Sequence, residues 1–342
     1  MTPFPEVVSF TVTNSCNLSC RMCGQWGPTG YMKDGKKLST MPVSRWIELI
    51  NEAARKGAKV VCLRGGEPLL FPGIMDVIRA VQAGGMFLVM DTNGVYLAKY
   101  ADELAASGMG VVNVSVDGPE EVHDRVRGVP GTFQAMAEGV RILKEAIVRR
   151  NSPTAIGACF TISPDSLPGL ASMGDVMRQL GIPTLSVNPY YYFPESTGRD
   201  YEKIMRESLG CEAYSWRGFH RENSGVDPDD FIRILREFKS KLGDVKLYPF
   251  MDFSDAEYRI WFSDTTTPVG RTGCTNPFKL LDIQPGGDAN FCVDFPDYVI
   301  GNVAKRSLLE VWDSPRADIF RRVIASGPLP ICLHCGAKYM SG

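Results

Sequence analysis

No apolar run in this 342-residue chain approaches the roughly 18 residues of a membrane-spanning helix. The opening stretch MTPFPEVVSF lacks the basic start and apolar centre of a signal peptide. Positive charge is in no excess, since 37 lysines and arginines face 39 acidic residues for a net charge of −2. The densest basic stretch, Lys33–Lys37 (KDGKK), is short enough to be a solvated loop. These shortages exclude a membrane span and remove the electrostatic case for a nucleic-acid partner. They predict a soluble, cytoplasmic protein. Internal repeats and low-complexity segments are also missing, which excludes a repeat array.

What the chain has is cysteine. Of its ten cysteines, seven fall in two groups, at 16/20/23 and at 274/292/332/335, while Cys62, Cys159 and Cys211 stand apart. Cytosolic thiols stay reduced, so the grouped residues read as metal or catalytic sites rather than disulfides.

From residue 7 to about 190, short apolar runs alternate with amphipathic stretches. Val7–Val12, Lys59–Leu63, Phe87–Met90, Val111–Val116, Ile156–Ile162 and Thr184–Val187 read as strands, and Val43–Lys56 reads as a helix. Continuous apolar strands between helices predict a parallel sheet buried on both faces. Six of them give the fold class: α/β, a partial (β/α)6 TIM-like barrel, followed by a small C-terminal α+β unit. Residues 1–195 form the barrel, 196–265 a bridging segment and 266–342 the C-terminal unit. In the bridge, Asp227–Leu242 reads as a helix and Val245–Leu247 as a strand. Beyond it, Leu280–Ile283, a turn at Pro285–Asp288 and Ala289–Cys292 predict a hairpin, and Ser307–Ala325 a helix.

Ligand chemistry in such barrels gathers at the carboxyl ends of the strands. The distinctive polar groups fall there: the first cysteine group after strand one, Gly65-Gly66-Glu67-Pro68 after strand two, Thr92-Asn93-Gly94 after strand three, Ser115 and Asp117 at strand four, Asn188 at strand six. Cys16-x3-Cys20-x2-Cys23 offers three thiolates, one short of the four that iron–sulfur clusters normally take, so that one iron stays open. Structural zinc is the alternative, poorly served by this spacing and by the lack of a nearby histidine. Cys274, Cys292, Cys332 and Cys335 supply four thiolates. That set closes a cluster, and it also suits zinc because it includes a CxxC pair.

The CxxxCxxC loop after the first strand and the GGEP after the second resemble the radical S-adenosylmethionine (SAM) superfamily over residues 7 to about 190. Met22 stands where that family usually carries an aromatic residue. The resemblance implies a [4Fe–4S] cluster on Cys16, Cys20 and Cys23, with SAM on its open iron. It also implies reductive cleavage of SAM to a 5′-deoxyadenosyl radical that abstracts a substrate hydrogen. It places Gly65, Gly66 and Glu67 at the SAM amino group, Asn93 in the cofactor-binding set, Ser115 at the ribose or carboxylate, and Arg127 at the carboxylate. In the run Asp117-Gly118-Pro119, His123-Asp124, Arg127-Gly128, Asp117 and His123 are alternatively simple caps of loop and helix.

The segments LLDIQPGGDANFC, IGNV and LLEVWDS resemble the C-terminal extensions called SPASM and twitch domains. Four cysteines imply the twitch form, with one auxiliary [4Fe–4S] cluster on Cys274, Cys292, Cys332 and Cys335. Asp294 and His334 read as supporting or solvent-facing neighbours of those ligands, Cys62 and Cys159 as core residues, and Cys211 as a buried thiol. Tyr190–Tyr192, Tyr258 and Trp261 line a substrate pocket or pack in the core.

A closed cluster beside a radical site predicts a two-electron oxidation, with that cluster relaying the electron. This resembles the alcohol-oxidising dehydrogenase of butirosin biosynthesis and, more distantly, the anaerobic sulfatase-maturating enzymes. The alternatives are a peptide or protein modifier and, from another class, a non-catalytic electron carrier or zinc-bound scaffold. The first strand begins near residue 7, which leaves no room for an N-terminal peptide-recognition module and favours a small molecule or an unaided protein target, unless a separate recognition protein supplies that function. An external one-electron donor such as flavodoxin or ferredoxin is expected.

Overall fold

The computed structural model describes residues 2–33, 39–271 and 273–336, so most of the basic loop at 33–37 lies outside the described residues. Ten strands form one sheet: β1 Val7–Thr13, β2 Val60–Gly65, β3 Phe87–Thr92, β4 Val111–Ser115, β5 Ala155–Ile162, β6 Thr184–Pro189, β7 Lys246–Phe250, β8 Leu280–Ile283, β9 Asp288–Asn290 and β10 Gly301–Asn302. Their order is β10-β9-β8-β1-β2-β3-β4-β5-β6-β7. Strands β1 to β7 pair in parallel as an open partial barrel, one strand longer than the sequence indicated. No helix among the described residues is long and apolar enough to cross a membrane.

The C-terminal hairpin is sewn into the same sheet. Strand β8 runs parallel to β1, pairing Val7 with Leu280 and Phe10 with Ile283, and β9 folds back antiparallel on β8. The side chain of Glu52, on the helix Val43–Arg55, accepts from the backbone N–H groups of Leu308 and Leu309 at 3.0 and 3.1 Å. A carboxylate at a helix N-terminus satisfies donors that have no partner inside the helix.

The strands are not buried on both faces. Val61, Leu63, Leu88, Met90, Val112, Val114 and Phe160 are fully buried under the helices. The alternate residues Cys62, Arg64, Asp91, Asn113, Ser115, Cys159, Thr161 and Asn188 are half-exposed on the concave side. The period of two therefore separates an apolar helix-packing face from a polar lumen. This corrects the reading of Cys62 and Cys159 as core residues. Burial pushes their thiols up to about 11 and about 12, so both stay protonated near neutral pH.

The predicted helix Ser307–Ala325 is two, Leu308–Trp312 and Pro315–Ser326. Pro315 cannot donate into a helix, and its ring disfavours helical geometry in the preceding residue. Ser314 instead caps the second helix by accepting from Ala317. The bridge also holds the helices Glu195–Leu209 and Asp255–Ser263.

Asp282, on β8, is fully buried, with one oxygen bonded by Gln284 at 2.6 Å and Asn290 at 3.2 Å. Burial raises its carboxyl to about 6. A carboxyl raised on folding favours the native state when protonated, so its contribution is lost as pH climbs from about 4 through about 6. Asp282→Asn should therefore stabilise the protein by about 3 kcal/mol at pH 7.5. The gain should shrink toward zero near pH 4, as read by denaturant unfolding at the two pH values.

Candidate iron–sulfur and cofactor site

The first cysteine loop leaves β1 at Thr13 and is held on three sides. The Gly66 N–H donates to Thr13 O and the Glu67 N–H to Ser15 O, each at 2.8 Å. The contact explains both glycines. A Cβ on Gly65 would stand 2.4 Å from Thr13 O, and one on Gly66 would stand 2.3 Å from Ser15 O and 2.5 Å from Asn14 O. These are backbone atoms with no cheap escape. Gly66→Ala should accordingly push the loop aside and lower SAM cleavage roughly 100-fold, the usual cost of an ångström of misplacement. Anaerobic iron counting together with 5′-deoxyadenosine release checks it.

On the second side, Arg21 N–H donates to Val126 O at 2.9 Å. On the third, Asn93 Nδ2 and Asn17 Oδ1 meet at 2.9 Å, joining the end of β3 to the loop. Trp26 braces it from within, its Nε1 donating to Asn14 O at 2.7 Å.

Cys20 is buried, and Cys16 and Cys23 are half-buried. Burial pushes the Cys16 thiol up to about 11, and the neighbouring Cys20 and Cys23 sulfurs add to the rise, so the three lie within electrostatic reach of one another. Cys20 accepts from Arg127 at 3.6 Å and Cys23 from the Trp26 N–H at 3.4 Å. Such N–H···S contacts suit thiolates bound to a cluster, whose sulfurs are tuned by hydrogen bonds.

The structure puts Glu67 to a different use from the one expected. It is fully buried, and its oxygens already carry three donors: Thr92 Oγ1 at 2.7 Å, Asn93 N at 2.8 Å and Leu69 N at 3.0 Å. It ties the GGEP turn to the end of β3 and offers little to an ammonium group. Arg127 is likewise committed, pairing through Nε with Asp117 Oδ2 at 2.6 Å while donating to Cys20. Burial and Arg127 push the His123 imidazole down to about 3, so it is neutral, and its Nδ1 accepts from the Asp117 N–H at 3.3 Å. Ser115, half-buried at the end of β4, has no hydroxyl partner among the described residues.

The second cysteine group assembles from the segment just after β9, the loop before Asn276–Lys279, and the turn Pro330–Cys332 with its continuation. The Cys292 thiol is driven well up by burial and then by the Cys335 and Cys332 sulfurs, with Asp294 and Cys274 adding less. All four thiols therefore converge. Among the described residues, no three His, Cys, Asp or Glu side chains close on one point as a single metal ion requires.

Asp294 faces inward, accepting from Tyr191 Oη at 3.0 Å, and Tyr191 Oη also lies 3.7 Å from Cys335 Sγ. Tyr191 meets Phe219 edge-on at 5.3 Å, and the tip of the Phe219 ring abuts Gly24, where a Cβ would stand 2.2 Å from its Cζ. A continuous van der Waals path thus runs from Cys23-Gly24 to Cys335. Sequence reasoning missed it because stacking partners 195 positions apart leave no local signal. His334 stacks on Trp261, its ring nitrogens within 3.2 Å of the Trp261 and Thr267 carbonyls. Tyr192, Tyr258 and Trp261 are buried, and Tyr258 and Trp261 line a small apolar cavity with Ile162, Val187 and Phe231; Cys211 lies in the bridge, 4.0 Å from Met205 O.

An open parallel barrel with three thiols on its carboxyl rim and four more beside its mouth defines an iron–sulfur enzyme of the SAM-cleaving class. Residues 10–161 match the family described as Radical SAM superfamily, and residues 274–336 match the one described as iron-sulfur cluster-binding domain, or SPASM. The chain belongs to the radical SAM superfamily, in its SPASM/twitch subgroup. That membership brings a SAM-binding [4Fe–4S] cluster, SAM itself and an auxiliary iron–sulfur cluster.

The chain is 25% identical to the AdoMet-dependent heme synthase of Methanosarcina barkeri, over 94% of this chain and 86% of that protein. Two solved structures share its fold. Streptococcus suis SuiB bound to precursor peptide SuiA superposes with a TM-score of 0.65 at 16% identity, over 93% of this chain and 67% of that one. The anSMEcpe enzyme with bound AdoMet gives 0.64 at 13% identity, over 96% and 88%.

Proposed function

We propose that this radical SAM enzyme performs a two-electron oxidation of a substrate held in the polar lumen, with Cys16, Cys20 and Cys23 holding the SAM-binding cluster and Cys274, Cys292, Cys332 and Cys335 the auxiliary one. When bound, SAM and its cluster would supply a 5′-deoxyadenosyl radical for hydrogen-atom abstraction, and the auxiliary cluster would supply an acceptor for the electron that a two-electron oxidation must remove. The chain's own residues do the positioning. Gly65 and Gly66 let the GGEP turn press on the first loop, Asn93 holds that loop through Asn17, and Arg127 braces Cys20. Ser115 offers a free hydroxyl to SAM at the rim.

The observation that carries the oxidative reading is Asp294, which touches Tyr191 beside Cys335 and also lies close enough to strengthen the charge on Arg64 in the lumen. That proximity supports a second cysteine group bordering the substrate space, as an electron acceptor must. A flavodoxin- or ferredoxin-type protein is the proposed reductant. The relative named a heme synthase favours a non-peptide substrate, whereas the SuiB complex supports a peptide as the second reading.

The test is an anaerobic substrate screen read by 5′-deoxyadenosine release. One oxidised product per SAM consumed is expected. Hydrogen exchange into substrate without net oxidation would overturn the proposal.

A further inference from the structure

One cation in the lumen leaves its strongest donor edge unspent. Arg64 stands on β2 directly before Gly65, level with Thr11 on β1. Its Nε donates to Asp91 Oδ2 at 2.9 Å, and Asp91 Oδ1 accepts from Asn113 Nδ2 at 3.2 Å. Three adjacent strands thus fix the plane of the guanidinium. Among the described residues, no protein acceptor meets its two terminal nitrogens. The side chain is 32% exposed and that of Asp91 38%, on a concave face that the helices do not reach. That exposure is room for a ligand.

The other groups facing this room narrow its chemistry. Cys62 and Cys159 are thiols here and carry no charge. Glu67 is closed off by its three donors. Asp294 lies within electrostatic reach of Arg64, without an ion pair between them among the described residues, and its Oδ2 is held by Tyr191. A guanidinium presents two parallel N–H groups that match a carboxylate in bidentate fashion. The neighbouring Asp294 repels a second anion and accepts from a hydroxyl or amino group.

We propose that the terminal edge of Arg64 anchors the carboxylate of the substrate, a hydroxy- or amino-acid unit, one layer below the rim that carries Cys16, Cys20 and Cys23. Asp91 and Asn113 are positioning residues: they consume Nε and leave the fork pointing into the lumen. A substrate anchored there directs the carbon beside its hydroxyl or amino group toward the rim and toward Asp294. Such a carbon, once a radical, gives up an electron readily. The proposal deepens the oxidative reading by naming its substrate class.

The test uses the reconstituted full-length protein with SAM and two matched probes, lactate and lactamide, observed by ligand-detected NMR. Wild type should hold lactate about tenfold more tightly than lactamide, the scale of one charge-assisted pair. Arg64→Ala and Arg64→Gln should both lose that preference. Arg64→Lys, which keeps the charge without the fork, should retain part of it. Iron content and unfolding midpoint, measured on each variant, separate loss of the anchor from loss of the fold. Equal binding of the two probes by wild type, or an unchanged preference in Arg64→Gln, overturns the proposal. SAM cleavage by wild type is followed in parallel. Its absence would remove the oxidative reading and leave the lactate comparison intact as a test of the anchor.

Discussion

Replacing Cys16, Cys20 and Cys23 together by alanine should lower the iron content from about eight to about four per chain and reduce 5′-deoxyadenosine formation to background. The two effects must arrive together. The three sulfurs converge on one loop, and the four sulfurs of the C-terminal group are brought together by elements that the substitution does not touch. The reciprocal variant, Cys332→Ala with Cys335→Ala, should keep the first four irons and continue to cleave SAM while failing to complete an oxidation. Loss of all iron from the triple variant would mean that the two sites do not load independently. Full iron retention would dismiss the assignment of the first loop.

Removing the guanidinium of Arg127 should cost about 3–5 kcal/mol, because it strands a carboxylate in the interior. Asp117 is wholly buried and Arg127 nearly so, and Arg127 is the one cation paired with it among the described residues. Against the roughly 5–15 kcal/mol that holds an ordinary domain together, that is a large share. The loss in Arg127→Ala should grow with pH. Without its cation, Asp117 takes a proton more readily when folded than when unfolded, so the variant is least handicapped in acid and most above neutrality. Pairing Arg127→Met with Asp117→Leu removes both charges and should recover most of the stability, but not the N–H···S contact to Cys20. Denaturant unfolding of the three proteins at pH 5 and pH 8 checks the sign, and the reduction potential of the first site reports the lost contact to sulfur.

Much of the site was legible because cofactor chemistry of this kind writes itself locally. Three cysteines within eight positions and a double glycine after the next strand mark a loop and the turn that presses on it. What those motifs do inside the protein was less legible. The roles expected of Glu67 and Arg127 were toward SAM, yet both are engaged by partners 25 and 10 positions away. The strands were read as apolar throughout, although Arg64, Asp91, Asn113 and Ser115 sit at alternate positions within or at the end of them. Val, Leu and Met between those residues carry the apolar signal, and only a register shared across three strands reveals that the polar ones form a single lumen wall. Arg64 escaped notice for that reason: alone it is one arginine before a glycine turn, and its meaning comes from Asp91 and Asn113. The break at Ser314-Pro315 was visible in the sequence, a serine cap followed by proline, and was passed over for the longer helical period.

Strand β8 has a consequence for anyone wishing to dissect this enzyme. The twitch-type module is no detachable cartridge. Cutting the chain before it would strip the neighbour from β1, the very strand that delivers the first cysteine loop, and bare its row of peptide N–H and C=O groups to any passing chain. A shortened protein would be expected to clump and lose its first cofactor, although every residue proposed to bind that cofactor were still present.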